Sequence, residues 1–350
     1  MFMRKAGQED REWIDNLYLK VVPRFYEDAE SYSQLWWRSY LDNDNELGFF
    51  SLEKEVFVFE DGQSSLGFAV LTYKRGGSAK LSPLILEGRL PDVGAAWRLL
   101  ESYARDRGIR KLYCDIPSAR WHLFSLLHDL GVRIEAHLAR QYSPDYDSIV
   151  CGKSLVVRDG PAYVTMRKCR LATEEPGDSA QWVPLQSVYR DGVLGLIEEH
   201  LSSLYDGLDE TFVDSLYRAV TNKAGGFEVK GKDAYVAVGH NNPRNVVGLA
   251  VLTPKRGGSV KLGPFFLVRD VLGPESARNV VSRVLHLGQA AFPYARKVYS
   301  ILPILESTLV RSLYECGYNV EGVLREPYKP YVDCLVLSRF GGWCSEIQAY

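Results

Sequence analysis

The chain has 350 residues, a length that suggests about two domains. Apolar residues make up 46% and aromatic residues 12%, which supplies packed cores and excludes a disordered chain. The 42 basic and 44 acidic side chains nearly cancel, so no global field holds nucleic acid or an acidic membrane, and only a local basic patch stays open.

The opening MFMRKAGQEDREW puts charges where a signal peptide needs its apolar core, and no later stretch is long and apolar enough to span a bilayer. No membrane partner is expected. Cys114, Cys151, Cys169, Cys316, Cys334 and Cys344 form no CxxC pair and lie mostly in apolar stretches, which predicts reduced thiols and a cytoplasmic location. No His/Cys group has zinc-ligand spacing, so no metal is expected.

In chain order, the first region is aromatic and acidic: Tyr26, Tyr32, Trp36, Trp37 and Tyr40 alternate with Asp28, Glu30, Asp42, Asp44 and Glu46. It reads either as an amphipathic helix with a solvated acidic face or as a rim suited to a cationic or amine-bearing acceptor. Glu55 to Phe59 and Gly67 to Tyr73 are rich in Val and Phe and read as strands, with Asp61-Gly62 as their hairpin turn. Arg75-Gly76-Gly77-Ser78 makes a second turn into a strand from Lys80 to Glu87. Apolar residues recur at helical spacing from Asp92 to Arg107, and Gly108 supplies the stop. A strand at Lys111 to Ile116, a helix from about Ser118 to Leu130 ended by Gly131, and two closing strands complete a mixed α/β domain.

The chain then repeats itself. GFAVLTYKRGGSAKLSPLILE from Gly67 and GLAVLTPKRGGSVKLGPFFLV from Gly248 agree at roughly two-thirds of positions without a gap. Lys111 to Pro117 answers Lys297 to Pro303, and the tails keep register: Glu135 with Glu321, Leu138 with Leu324, Tyr142 with Tyr328, Asp147 with Asp333. The expected organisation is a first domain over 1–156, a linker over 157–161, a second domain over 162–341 and a tail over 342–350. The chain is thus a pseudo-dimer in itself, with its oligomeric state open.

Gly94-Ala-Ala-Trp-Arg-Leu-Leu100, Leu313-Tyr-Glu-Cys-Gly-Tyr318 (similar to LYxxGF), and Glu321 to Arg325 with Tyr328 and Asp333 to Leu337 together resemble the GNAT superfamily of acyl-CoA-dependent N-acyltransferases. The resemblance covers nearly the whole chain, once per half. It implies two tandem domains, each a mostly antiparallel central sheet flanked by helices, using acetyl-CoA or another acyl-CoA as donor and an amine-bearing acceptor. It implies that a splayed strand edge at Leu84, Ile85 and Leu86, and at Phe266, Leu267 and Val268, receives the pantetheine arm as an added strand. The diphosphate would meet a helix N-terminus at Gly94, Ala95, Ala96 and Trp97 in copy one, and at Ser276 and Ala277 in copy two. Glu275 stands where Gly94 does and Pro91 replaces an expected Gln or Arg, with Arg89 and Gly273 nearby as partial substitutes.

Tyr314 occupies the place of the family's general acid, and copy one has His128 there. Each reads equally as an ordinary surface residue of a helix. The usual base position holds Lys80 and Lys261, which leaves Glu87 and Glu60 as substitutes. The acceptor side is assigned to Tyr26, Tyr32, Trp36 and Trp37, with Tyr205, Asp206 and Tyr217 as their counterparts. The expected activity is N-acyl transfer with one domain catalytic and the other supporting. An aminoacyl-tRNA-dependent transferase of this fold and a non-catalytic acyl-CoA-binding module remain alternatives. The balanced charge argues against the tRNA reading.

Overall fold

The structure is a computed structural model and describes residues 1–27, 29–41, 50–62, 64–87, 90–156, 180–221, 231–239, 245–268 and 274–341, with the side chains of residues 31, 35, 90, 91 and 274–276 left aside. The expected linker 157–161 and tail 342–350, Asp28, Asp42, Asp44, Glu46, Arg89, Gly273, Cys169, Cys344, and the side chains of Pro91, Glu275 and Ser276 lie outside that description. The chain divides into two compact units, Met1–Pro161 and Ala162–Tyr350.

Unit 1 contains β1 (Phe2–Lys5), α1 (Arg11–Val21), α2 (Ala29–Leu41), β2 (Ser51–Asp61), β3 (Ser64–Lys74), β4 (Ser78–Leu86), α3 (Leu90–Asp106), β5 (Lys111–Pro117), α4 (Leu123–Asp129), β6 (Arg133–Leu138) and β7 (Ser148–Ser154). Its strands lie in the order β1-β2-β3-β4-β5-β7-β6. Every neighbouring pair is antiparallel except β4 with β5. The alternation of side chains along β2 explains the layering. Phe57 and Phe59 face α3 through Trp97, Leu100 and Ala104, while Val56 and Val58 face α1 and α2 through Ile14, Leu17, Tyr18, Trp36 and Trp37. Fully burying an apolar side chain such as Phe57 or Phe59 contributes roughly 1.5–3 kcal/mol relative to leaving it exposed.

Two boundaries differ from the sequence expectation. The helix expected over 118–130 is a single 3₁₀ turn, Ser118–Arg120, followed by the shorter α4. Pro117 holds extended backbone, and the Ser118 N–H donates to the Asp147 carbonyl at 2.9 Å, so this segment is tied to the β6–β7 loop. The helix α3 starts at Leu90, ahead of Asp92, with Pro91 in its first turn where no amide is required.

Unit 2 repeats the plan. It contains β8 (Ala180–Pro184), α5 (Arg190–Glu199), α6 (Glu210–Thr221), β9 (Asp233–Gly239), β10 (Val246–Lys255), β11 (Ser259–Leu267), α7 (Pro274–Ala291), β12 (Lys297–Pro303), α8 (Ser307–Glu315), β13 (Asn319–Lys329) and β14 (Val332–Phe340). The strand order is β8-β9-β10-β11-β12-β14-β13, and β11 with β12 is the parallel pair. Both KRGGS turns use left-handed glycines, Gly76 and Gly77 at φ 82° and 72°, Gly257 and Gly258 at φ 70° and 69°. Arg110 Nε donates to the Gly76 carbonyl and Arg296 Nε to the Gly257 carbonyl, so these turns are bound from within their own unit. A buried ion pair is also duplicated: Lys111 with Glu135 at 2.6 Å and Lys297 with Glu321 at 2.7 Å.

Candidate active site

The parallel pair in unit 1 does not run its full length. β4 and β5 are in register from Ser78↔Lys111 to Leu81↔Cys114, and there the pairing stops. On its other side β4 stays paired to β3 as far as Gly67↔Leu86. Residues 82–86 therefore present a strand edge that β5 does not use, the kind of edge an extended ligand can join. Leu84 and Leu86 along it are half-buried, and Ile85 turns to the opposite core.

At the point where the strands part, Lys80 of β4 forms an ion pair with Asp115 of β5. The Tyr142 hydroxyl donates to Asp115 Oδ2 at 3.2 Å, and the Lys80 ammonium lies 5.8 Å from the Tyr142 ring centre. Burial works against the Lys80 charge, but Asp115 and the surrounding tyrosines outweigh it and hold its pKa well above the ordinary lysine value. Burial pushes the Tyr113 hydroxyl up to about 12, with Lys80 pulling the other way. The Tyr26 ring packs on Tyr142 at 5.4 Å between centres, and the Glu27 N–H donates to the Tyr142 carbonyl at 3.2 Å. Tyr26 and Tyr32 are half-buried beside this cluster.

Unit 2 keeps the frame and changes the charges. Its pairing stops at Leu262↔Ser300, Lys261 Nζ donates to the Tyr328 hydroxyl at 3.2 Å, and Tyr205 packs on Tyr328 at 5.0 Å. Ile301 takes the place of Asp115. The edge residues Phe266, Leu267 and Val268, expected to line a pantetheine channel, are all buried, and Phe266 packs on the His200 ring at 6.0 Å. A ligand there must first displace this packing, which unit 1 does not demand.

Several expected site residues fall elsewhere. Trp36 is 0% exposed and Trp37 is 1% exposed, because the faces of α2 that carry them form the core against the sheet and not an acceptor rim. The early start of α3 puts Gly94, Ala95, Ala96 and Trp97 in its second turn, where helix geometry already uses the amides. Ala96 and Trp97 are core, and Trp97 Nε1 donates to Glu101 Oε2 at 3.2 Å. Because Pro91 has no N–H, the first-turn amides are those of Leu90 and Asp92, and exposed Arg98 lies one turn beyond Gly94. In α7, Ser276 is in the first turn and Ala277 is buried. Glu87 is half-exposed and paired with Lys20 at 2.9 Å. It lies seven strand residues from Lys80, on the order of 23 Å at about 3.3 Å per residue. Glu60 is held by Arg4 at 2.9 Å. His128 and Tyr314 are mainly exposed at the ends of α4 and α8. Arg133 donates to His128 Nε2 at 3.1 Å, a bond that a neutral imidazole accepts. Together with Phe124, Leu127, Val132, Ile134 and Cys151 they line a shallow hollow of about 240 Å³. The groups that do gather at the splay, Asp115 and Tyr142, were legible only as a mismatch and a match between the two copies.

The mostly antiparallel sheet flanked by helices, with a splayed strand edge, is what the GNAT resemblance implies for each half. No protein-family model and no curated protein sequence matches the chain. Among solved structures it is similar to spermidine N-acetyltransferase from Vibrio cholerae in complex with CoA and spermine, at 18% identity and TM-score 0.35, over 44% of this chain and 95% of that one. It is similar also to aminoglycoside 6'-N-acetyltransferase from Enterococcus faecium, at 14% identity and TM-score 0.35, over 46% of this chain and 100% of that one. A third is described as a putative phosphinothricin N-acetyltransferase, at 17% identity and TM-score 0.37, over 45% of this chain and 99% of that one. No activity passes from them to this chain. Among the described residues no helix is long and apolar enough to cross a membrane.

Proposed function

We propose that the protein is an acyl-CoA-dependent N-acyltransferase whose working site is in unit 1, with unit 2 as a supporting copy. The observation that carries this reading is the free β4 edge over residues 82–86, ending on the Lys80–Asp115 pair. The pantetheine arm would join that edge, and the first turn of α3 with Arg98 would meet the phosphates. In the reaction the acceptor nitrogen attacks the thioester carbon, the carbon–sulfur bond breaks, and the amine proton is lost as the thiolate gains one. Lys80, held cationic, stands where negative charge grows on the thioester oxygen. Asp115 and Tyr142 orient the incoming amine. Unit 2 has Ile301 in place of Asp115 and a buried edge, which supports a structural role for it.

The test is thermal stabilisation of the purified chain by acetyl-CoA, CoA and longer acyl-CoAs. Saturable stabilisation is expected, ~2.7 kcal/mol at a hundred times Kd. It should disappear in Leu84→Glu and in Leu86→Glu, each checked for folding by circular dichroism. Absence of stabilisation by every acyl-CoA would sink the reading.

A further inference from the structure

Unit 1 carries two arginines that no carboxylate holds among the described residues. Arg24 follows α1 and Arg120 ends the 3₁₀ turn after β5. Both converge on one ring: the Arg24 guanidinium carbon lies 5.7 Å from the centre of Phe25, and that of Arg120 lies 5.1 Å from it. Phe25 is buried and is packed edge-on by Tyr146 at 5.4 Å. Among the described residues neither arginine is held by an acid, as is also true of Arg98 and Arg133, whereas Arg4, Arg105, Arg107, Arg190 and Arg311 are.

The position is tied to the splay by a short chain of contacts. Phe25 precedes Tyr26, whose ring packs on Tyr142, and the Tyr142 hydroxyl reaches Asp115. The Ser118 N–H, two residues before Arg120, donates to the Asp147 carbonyl at 2.9 Å, which fixes the loop that carries Tyr142 and Tyr146 beside it. The two guanidinium groups therefore belong to the same set of packed loops as Tyr142, whose hydroxyl reaches Asp115.

Unit 2 is an internal control. It repeats the frame bond for bond, with Asp206 N–H to the Tyr328 carbonyl at 3.1 Å and Ile304 N–H to the Asp333 carbonyl at 2.9 Å. Yet Ser203 stands for Arg24, Leu204 for Phe25, Glu306 for Arg120 and Ile301 for Asp115. The copy without them forms the same two backbone bonds. They are present together in one copy and absent together in the other.

We propose that the acceptor taken by unit 1 is a small primary amine that also carries an anionic group, a carboxylate or a phosphate, which Arg24 and Arg120 hold while Asp115 faces the amine. Arginine's planar fork matches either oxyanion, and both guanidinium groups lie against one ring. This narrows the cationic or amine-bearing acceptor suggested by the aromatic, acidic stretch around Tyr26 to Glu46 to an amine that also carries an anion. The inference rests on the acyltransferase reading of the same site.

The experiment is a matched series of amines titrated against the full chain without acyl-CoA by calorimetry, and then with acetyl-CoA while free thiol is followed. The probes are pentylamine, 1,5-diaminopentane, 6-aminohexanoate and 2-aminoethyl phosphate. At least about tenfold tighter binding of one or both anionic members over pentylamine is expected, and which of the two wins separates carboxylate from phosphate. Arg24→Ala and Arg120→Ala should each erase that preference, and Arg120→Glu should turn it towards the diamine. Equal or tighter binding of pentylamine or the diamine by the unaltered protein overturns the proposal, as does binding of no member. An anion preference untouched by all three substitutions overturns it too. Anion-selective amine binding without any acyl-CoA binding would instead remove the acyltransferase reading and leave this one standing.

Discussion

Lys80 and Asp115 pair across β4 and β5 one residue either side of the last register contact, Leu81↔Cys114. The strands separate immediately beyond this pair, so it sits at the floor of the opening that they form. Unit 2 has the same lysine, Lys261, but it meets the Tyr328 hydroxyl and no acid at position 301.

Asp115→Asn is therefore expected to lower kcat on the order of 10²-fold, the lower end of what a positioned polar group supplies, with acetyl-CoA binding changed by less than about threefold. Lys261→Met in unit 2 should leave turnover within about twofold. Steady-state kinetics with separate acetyl-CoA titrations check both. A parallel loss of donor binding in Asp115→Asn would move that residue from the acceptor to the donor side. Because Asp115→Asn leaves Lys80 without its acid, the double variant Lys80→Met/Asp115→Leu is the control for stability.

Tyr314 and His128 are expected to be dispensable. A general acid contributes ~10²–10⁴-fold, and Tyr314→Phe and His128→Gln should each change kcat by less than about threefold because both side chains face solvent. Tyr314 is 65% exposed. A hundredfold loss in either variant would restore the role that the LYxxGF resemblance gives this position.

The fold was legible because the duplication preserves what strands need. Alternating apolar residues, the KRGGS turns and the glycine stop at Gly131 and Gly317 recur in both halves, so each half certifies the other. The site was less legible, for physical reasons that differ by residue. Trp36 and Trp37 sit on an amphipathic helix, and periodicity tells that one face is buried without telling whether an aromatic borders a cleft or a core. Gly94-Ala-Ala looked like a helix start because small residues permit close approach, but Pro91 is itself a helix opener and moved the start upstream. Asp115 lay inside a stretch read only as a strand, although its exchange for Ile301 was visible. Arg24 and Arg120 meet on one ring across a sequence separation that no local pattern reports.

Breaking the buried pair Lys111–Glu135 should destabilise unit 1 strongly. Both side chains are 5% exposed or less, and removing one partner strands a charge inside the fold. Glu135→Gln is expected to cost about 3–5 kcal/mol, and Lys111→Met/Glu135→Leu to recover most of that. Denaturant unfolding of the three proteins measures it. Equal losses in the single and double variants would mean that packing volume, not charge, holds this position. Glu321→Gln in unit 2 should behave alike, since Lys297 is 1% exposed beside it.

Glu55 gives the pH dependence its direction. Its carboxylate, 1% exposed on β2, is held by Lys5 at 2.6 Å and Arg107 at 2.9 Å, with the Tyr103 hydroxyl donating at 3.1 Å and Tyr73 donating as well. Burial works to raise its pKa, yet the bonds from Lys5 and Tyr73 and the Arg107 charge outweigh burial and lower it below the ordinary carboxylate value. A carboxyl lowered on folding adds stability above its unfolded pKa, ~4.3, and that stability fades as pH falls through the folded value. Glu55→Gln should then be less stable than the unaltered protein at neutral pH by about 1–3 kcal/mol, with the gap closing below roughly pH 4. Melting curves of both proteins from about pH 3 to 7 decide it. A gap that stays constant down to the acid limit would show that Glu55 acts through its shape and hydrogen bonds alone, because a charge whose pKa the fold lowers must lose its advantage once it is protonated in both states.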